Sequence, residues 1–148
     1  MPFRTRPDQS RDLLALIESE VRERLEEAVE QASLEAMVAS RRARGLPAPE
    51  ADSSRDRAEF EAGVRAFLEQ LRADLEPVLS DEQRRRADDA GARAGGGVIA
   101  CLLGAHVALA RALPDYWQRF DASRVAFVHR ASSGGGQRRG LLRRLLDR

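Results

Sequence analysis

Between Arg93 and Arg111 the chain carries no formal charge, although 33% of its 148 residues are charged. The run from Ala94 to Ala110 (Ala-Gly-Gly-Gly-Val-Ile-Ala-Cys-Leu-Leu-Gly-Ala-His-Val-Ala-Leu-Ala) is apolar on every side. A helix with no polar face has to be wrapped by protein or by lipid. The flanking segments are long amphipathic patterns that can do the wrapping. The expected fold is therefore all-α, a bundle of about five helices around a central apolar helix at about 97–113. Val98, Leu102, Leu103, Val107 and Leu109 are expected to be almost wholly buried in it.

A membrane span is the rival for that run. Crossing a bilayer takes about 20 apolar residues, whereas runs of roughly 10–14 belong to buried core helices. Ala94–Ala110 lies between these limits, opens on three glycines, contains His106, and has Tyr116 and Trp117 at one end only. Aromatic belts mark both ends of a span. The expectation is a buried helix of a water-soluble bundle.

The length suits one domain with a core that stands without disulfides or metals. Cys101 is the single cysteine, so it pairs with nothing in the chain and reads as a small buried hydrophobe. No stretch alternates apolar and polar residues for long, which leaves almost no strand signal. Every basic side chain is Arg, in a composition of the GC-rich bacterial type. An Arg cluster is correspondingly weak evidence for phosphate recognition. The N-terminus lacks the apolar stretch of a secretory signal, and the expected compartment is the cytoplasm. The formal net charge is only +1, but it is unevenly spread. From Arg124 onward Arg124, Arg130, Arg138, Arg139, Arg143, Arg144 and Arg148 face Asp147 alone, and the remainder carries an excess of acid.

Helix signals divide the chain clearly. From Asp8 or Ser10, apolar residues recur at Leu14, Ile17, Val21, Leu25, Val29, Ala32 and Ala36, in steps of three and four. Gly45 and Leu46-Pro47 should cap and stop this first helix. More than thirty residues at 1.5 Å each give roughly 50 Å, more than a compact domain of this size needs. Ser53 or Ser54 should cap a second helix with a stripe of Phe60, Val64, Phe67, Leu68, Leu71, Leu75 and Val78. Pro77 should end or kink that helix, and Ser80 to Gln83 reads as a capping box. The segment it opens has only alanines for an apolar face and should be weakly anchored. Pro114 marks the start of the last bundle helix, expected to run to about Ala131. Residues 1–131 are thus read as the bundle, and 132–148 as a Ser/Gly linker with a basic amphipathic tail.

No pattern here specifies an enzyme. His106 and His129 are the two histidines, yet no Glu-x-x-His or His-x-x-x-His spacing accompanies them. Gly95-Gly96-Gly97 is followed by no Lys-Ser/Thr, so it is no phosphate loop. The residues point to no catalytic group, no metal ligand and no cofactor. The tail is the best candidate site: Leu141, Leu142, Leu145 and Leu146 form one stripe, edged by Arg138, Arg139, Arg143 and Arg144. A helix this short is marginal alone and orders on a surface, either that of its own bundle or that of a partner.

The functional expectation is a non-enzymatic assembly or adaptor protein. Self-association through the first helix is expected at Leu34, Met37 and Val38, giving a homo-oligomer. The tail is expected to dock on a protein partner with an acidic or apolar groove. Two alternatives stand beside this reading. One is a small enzyme or ligand-binding bundle with a buried site near His106. In the other the tail binds an anionic membrane surface or, less favoured, nucleic acid.

Overall fold

The computed structural model describes the backbone of residues 7–146 and the side chains of residues 10–133. Among them run five α-helices: α1 (Pro7–Ala43), α2 (Ser54–Leu75), α3 (Asp81–Ala94), α4 (Val98–Ala112) and α5 (Tyr116–Leu146). A 3₁₀ turn at Glu76–Val78 follows α2, and the described residues contain no strand. The fold is all-α. No helix among the described residues is long and apolar enough to cross a membrane.

The helix ends follow from local chemistry. Gly45 takes φ +66° after α1. The Leu46 amide then donates to the Arg41 carbonyl at 2.8 Å, and the Gly45 amide to that of Arg42 at 3.2 Å. These two bonds make a Schellman cap, which satisfies carbonyls that the helix end leaves open. Ser53 accepts from the Asp56 amide at the start of α2. At α3 the Ser80 hydroxyl accepts from the Gln83 amide at 3.1 Å, while the Gln83 side chain accepts from the Ser80 amide at 2.9 Å. Pro77 lacks an amide hydrogen and falls just where α2 gives way to the 3₁₀ turn.

The core lies between α1, α2, α4 and α5. Leu25, Val29, Phe67, Leu68, Leu71, Leu75, Leu109 and Tyr116 are essentially inaccessible to solvent. Each such side chain contributes about 1.5–3 kcal/mol of apolar burial. Phe67 meets Phe120 and Phe127 edge-on, with ring centroids 5.1 and 5.3 Å apart. α2 runs antiparallel to α1, since Arg41 bonds Asp56 while Ser33 donates to the Phe60 carbonyl. α5 runs parallel to α1: Arg24 lies over Trp117, and Glu35 pairs with Arg124 farther along both helices.

α4 touches each of the other four α-helices, as a central helix must. Its enclosure is less even than the sequence predicts. Leu103 and Leu109 are buried, but Leu102 and Val107 are half-buried and Val98 is 50% exposed. Val98 opens the helix directly after the glycine turn. The rest of the apolar surface is spent on α3. A Cβ at Gly91 would come within 2.9 Å of the Cys101 carbonyl oxygen, and one at Gly104 within 2.8 Å of the Ala94 Cβ. The two helices thus pack almost backbone to backbone, and α3 is firmly anchored despite having no large apolar side chain. Gly95, Gly96 and Gly97, at φ +63°, +78° and +108°, make the reversal between them.

Two other expectations change. α5 does not end near Ala131; its backbone continues as helix through Ser132–Gly136 to Leu146, where a linker and a separate short helix are expected. A glycine costs about 1 kcal/mol in a helix interior, but extending an existing helix needs no new nucleus. The tail residues Arg138 to Leu146 have side chains outside the described residues. At the opposite end, Leu14 and Ile17 are exposed although they continue the core stripe, as is every described residue of α1 from Ser10 to Glu20.

Candidate functional site

His106 is fully buried, and its two ring nitrogens are both engaged. α4 places it against α2, where Nε2 lies 3.0 Å from the Leu68 carbonyl oxygen. The sharp turn at Pro114 brings Tyr116 back over α4, with its hydroxyl 3.1 Å from His106 Nδ1. A carbonyl only accepts, so Nε2 carries the hydrogen; Nδ1 then accepts from the Tyr116 hydroxyl. Burial pushes the His106 imidazolium down to about 4, against the Leu68 carbonyl, which favours the charged ring; Arg72 adds a smaller repulsion. Burial also drives the Tyr116 phenol upward. Both groups are neutral at physiological pH and satisfy each other. His106 lines neither of two surface grooves, one between α1, α3 and α4 and one on α1 and α2.

Sequence reading singles out His106 but misses its partner. Tyr116 lies ten residues downstream across a helix break, and only the Leu113-Pro114 turn hints that the chain folds back there. His129 is exposed on α5, and Cys101 is half-buried on α4. Among the described residues, no three His, Cys, Asp or Glu side chains are grouped to hold a metal ion.

The larger groove, about 970 Å³, lies between α1, α3 and α4. Its floor is built from small residues, Ala90, Ala94, Gly104 and Ala108, and Arg86, Arg93 and Arg111 stand along it. Arg111 spans to Glu18 on α1 at 2.7 Å, tying the walls together. The second groove, about 660 Å³, lies on α1 and α2 and includes Glu27, Glu30, Leu34 and Phe60.

Of the residues expected to mediate self-association, Leu34 is 42% exposed and Val38 half-buried, while Met37 is only 5% exposed. α2 and α5 both pack on α1. The larger apolar surface on α1 is at its other end, where Leu13 and Leu16 are 59% and 61% exposed and Leu14 and Ile17 accompany them. The excess length of the helix signals this surface in the sequence, but does not say at which terminus it falls. No protein-family model matches the chain, and neither does any curated protein or solved structure.

Proposed function

We propose that the chain is a non-enzymatic helical assembly or adaptor protein that self-associates through α1 and docks through its basic C-terminal segment. One observation carries the reading. Leu13, Leu14, Leu16 and Ile17 are all exposed within two turns of α1. Scattered apolar residues are ordinary on a surface, but a contiguous group marks an interaction site. The His106–Tyr116 pair supports a packing role for the one buried histidine, because both hydrogen-bond valences of the ring are used inside the core. A cytoplasmic setting fits the same reading.

Sedimentation equilibrium across protein concentration tests the proposal. The chain is expected to be oligomeric at tens of micromolar, where an interface of ~8 kcal/mol holds. Leu13→Glu with Leu16→Glu should shift it to monomer without lowering its melting temperature. A wild-type monomer at that concentration overturns the reading.

A further inference from the structure

We infer that the acceptor for the basic tail is the acidic outer face of α1 on a second copy of this chain, two copies exchanging tails. The inference rests on the self-association proposed above and supplies its contacts.

The acceptor face is continuous along α1. Leu13, Ile17, Glu20, Glu27 and Leu34 fall in helical steps of three, four and seven, and so share one side of the helix. Glu20, Glu23, Glu27 and Glu30 are all exposed there. None of the four takes part in an ion pair among the described residues, in contrast to Glu18, Glu26 and Glu35. Apolar ground lies at both ends of this acidic stretch. Leu13, Leu16 and Ile17 are at one end; Leu34, with the half-buried Phe60 and Ala28, lines the groove at the other. Arg24 is the basic residue in that groove, and its guanidinium is stacked 3.9 Å over the Trp117 ring rather than free among the carboxylates.

The tail has the opposite charge and its own apolar stripe. Arg138 and Arg139, Leu141 and Leu142, Arg143 and Arg144, and Leu145 and Leu146 follow in pairs, with Asp147 as the sole acid. On a helix this gives a leucine stripe edged by guanidinium groups, which suits the end of the acidic stretch where Glu27 and Glu30 adjoin Leu34 and Phe60. Guanidinium groups bind carboxylates through paired donors, and the leucines add affinity by burial.

Helix direction decides between the same chain and another. α5 is parallel to α1, passing from Trp117 beside Arg24 to Arg124 beside Glu35. It therefore advances away from Glu20 and from Leu13–Ile17. In the helical run of α5, Arg138 comes a further 21 Å or so beyond Arg124, at 1.5 Å per residue. A tail that leaves in this direction meets the acidic half of α1 on a neighbour rather than on its own chain. Exchange between two copies uses each surface once and closes the assembly with two-fold symmetry.

A charge exchange in the full chain tests this. Glu27→Arg with Glu30→Arg makes one variant, and Arg143→Glu with Arg144→Glu makes the other. Each alone is expected to self-associate at least tenfold more weakly than wild type, with an unchanged helical spectrum and melting temperature. Mixed in equal amounts, the two restore complementarity at both contacts, and a 1:1 pair should form with affinity within threefold of wild type. The wild-type pair should weaken as salt is raised, as expected of solvent-exposed charges. Two variants that each self-associate like wild type overturn the tail contact and leave the proposed self-association standing. The tail contact is likewise overturned if Arg143→Glu with Arg144→Glu abolishes binding to anionic vesicles while the oligomer persists. A mixture that stays monomeric overturns the pairing. A wild-type chain that is monomeric at tens of micromolar overturns the underlying reading as well. Leu142→Ser with Leu145→Ser gives an independent check: it should weaken the pair without changing its salt dependence, and an unaffected oligomer overturns the exchange.

Discussion

Tyr116 donates its hydroxyl hydrogen to His106 Nδ1 inside the core, across 3.1 Å, and this bond ties the start of α5 to the middle of α4. Removing the donor leaves a buried ring nitrogen unpaired. Tyr116→Phe is therefore expected to cost about 1–3 kcal/mol, the usual penalty for an unsatisfied buried polar atom. Urea denaturation should show a lower midpoint with an unchanged slope. An unshifted midpoint would show that the bond contributes nothing.

The same pair sets an acid limit on stability. His106 titrates at about 4 in the folded chain against 6.5 when free. Between these values the unfolded chain binds a proton that the folded chain refuses, so stability falls as pH is lowered from about 6.5 to about 4. The loss from this group is on the order of 3 kcal/mol and is complete below the folded value. Gln at position 106 can donate to the Leu68 carbonyl and accept from Tyr116 without titrating. His106→Gln should therefore flatten the fall in melting temperature between pH 6.5 and 4; an equally steep fall would assign the acid sensitivity elsewhere.

Close approach of α3 and α4 depends on Gly104. A methyl there would lie 2.8 Å from the Ala94 Cβ and 3.0 Å from the Ala90 carbonyl oxygen, so the helices have to part. Ala improves helix propensity by about 1 kcal/mol over Gly, while overpacking costs about 1–3 kcal/mol. Gly104→Ala should be destabilising on balance, and Gly104→Val more so. Gly63→Ala presents the same problem against the Ser33 hydroxyl, where α1 and α2 cross. Stabilisation by either alanine, measured by thermal melting, would mean that the helices separate at no cost.

The contrast between what sequence foretells and what it misses is physical. Caps at Gly45, Ser53 and Ser80 are legible because each is decided within a few residues by backbone geometry and a side-chain acceptor. The all-α class follows from periodicity. Val98 is misread because apolarity reports what a residue tolerates, not whether a neighbour reaches it. α3 is misread as weakly held because glycine and alanine carry no periodic signal, although they permit the closest packing. Tyr116 as the partner of His106, and Leu13–Ile17 as exposed surface, depend on how separate helices lie relative to one another. Periodicity within one helix does not contain that.

Substituting aspartate at two leucines separates core from surface. Leu103 is 7% exposed and packs with Leu109, Leu68 and Tyr116 in one apolar cluster. Leu103→Asp places an unpaired charge in that cluster and should abolish cooperative folding. Leu16→Asp, at a site 61% exposed on α1, should leave the melting temperature within a few degrees. A soluble, cooperatively melting Leu103→Asp protein would contradict the buried placement of α4.

Between α1 and α2 the chain is held by a charged clamp. Arg41 donates to both oxygens of Asp56, at 2.6 and 3.3 Å, and also to Glu59 at 2.8 Å. Asp56 further accepts from the Glu50 amide at 2.8 Å, so one carboxylate fixes the end of α1, the loop and the start of α2. The Arg41 bond, then the Glu50 amide, lower the Asp56 carboxyl below its ordinary value. A carboxylate lowered in the folded state stabilises above its ordinary pKa, and that contribution disappears as pH falls through the folded value. Asp56→Asn keeps the shape and weakens both bonds. It is expected to speed hydrogen exchange and proteolysis at residues 44–53 while the protection of Leu68 and Leu71 in α2 stays unchanged. Equal loss of protection in the loop and at Leu68 would show that the clamp supports the whole bundle rather than the loop.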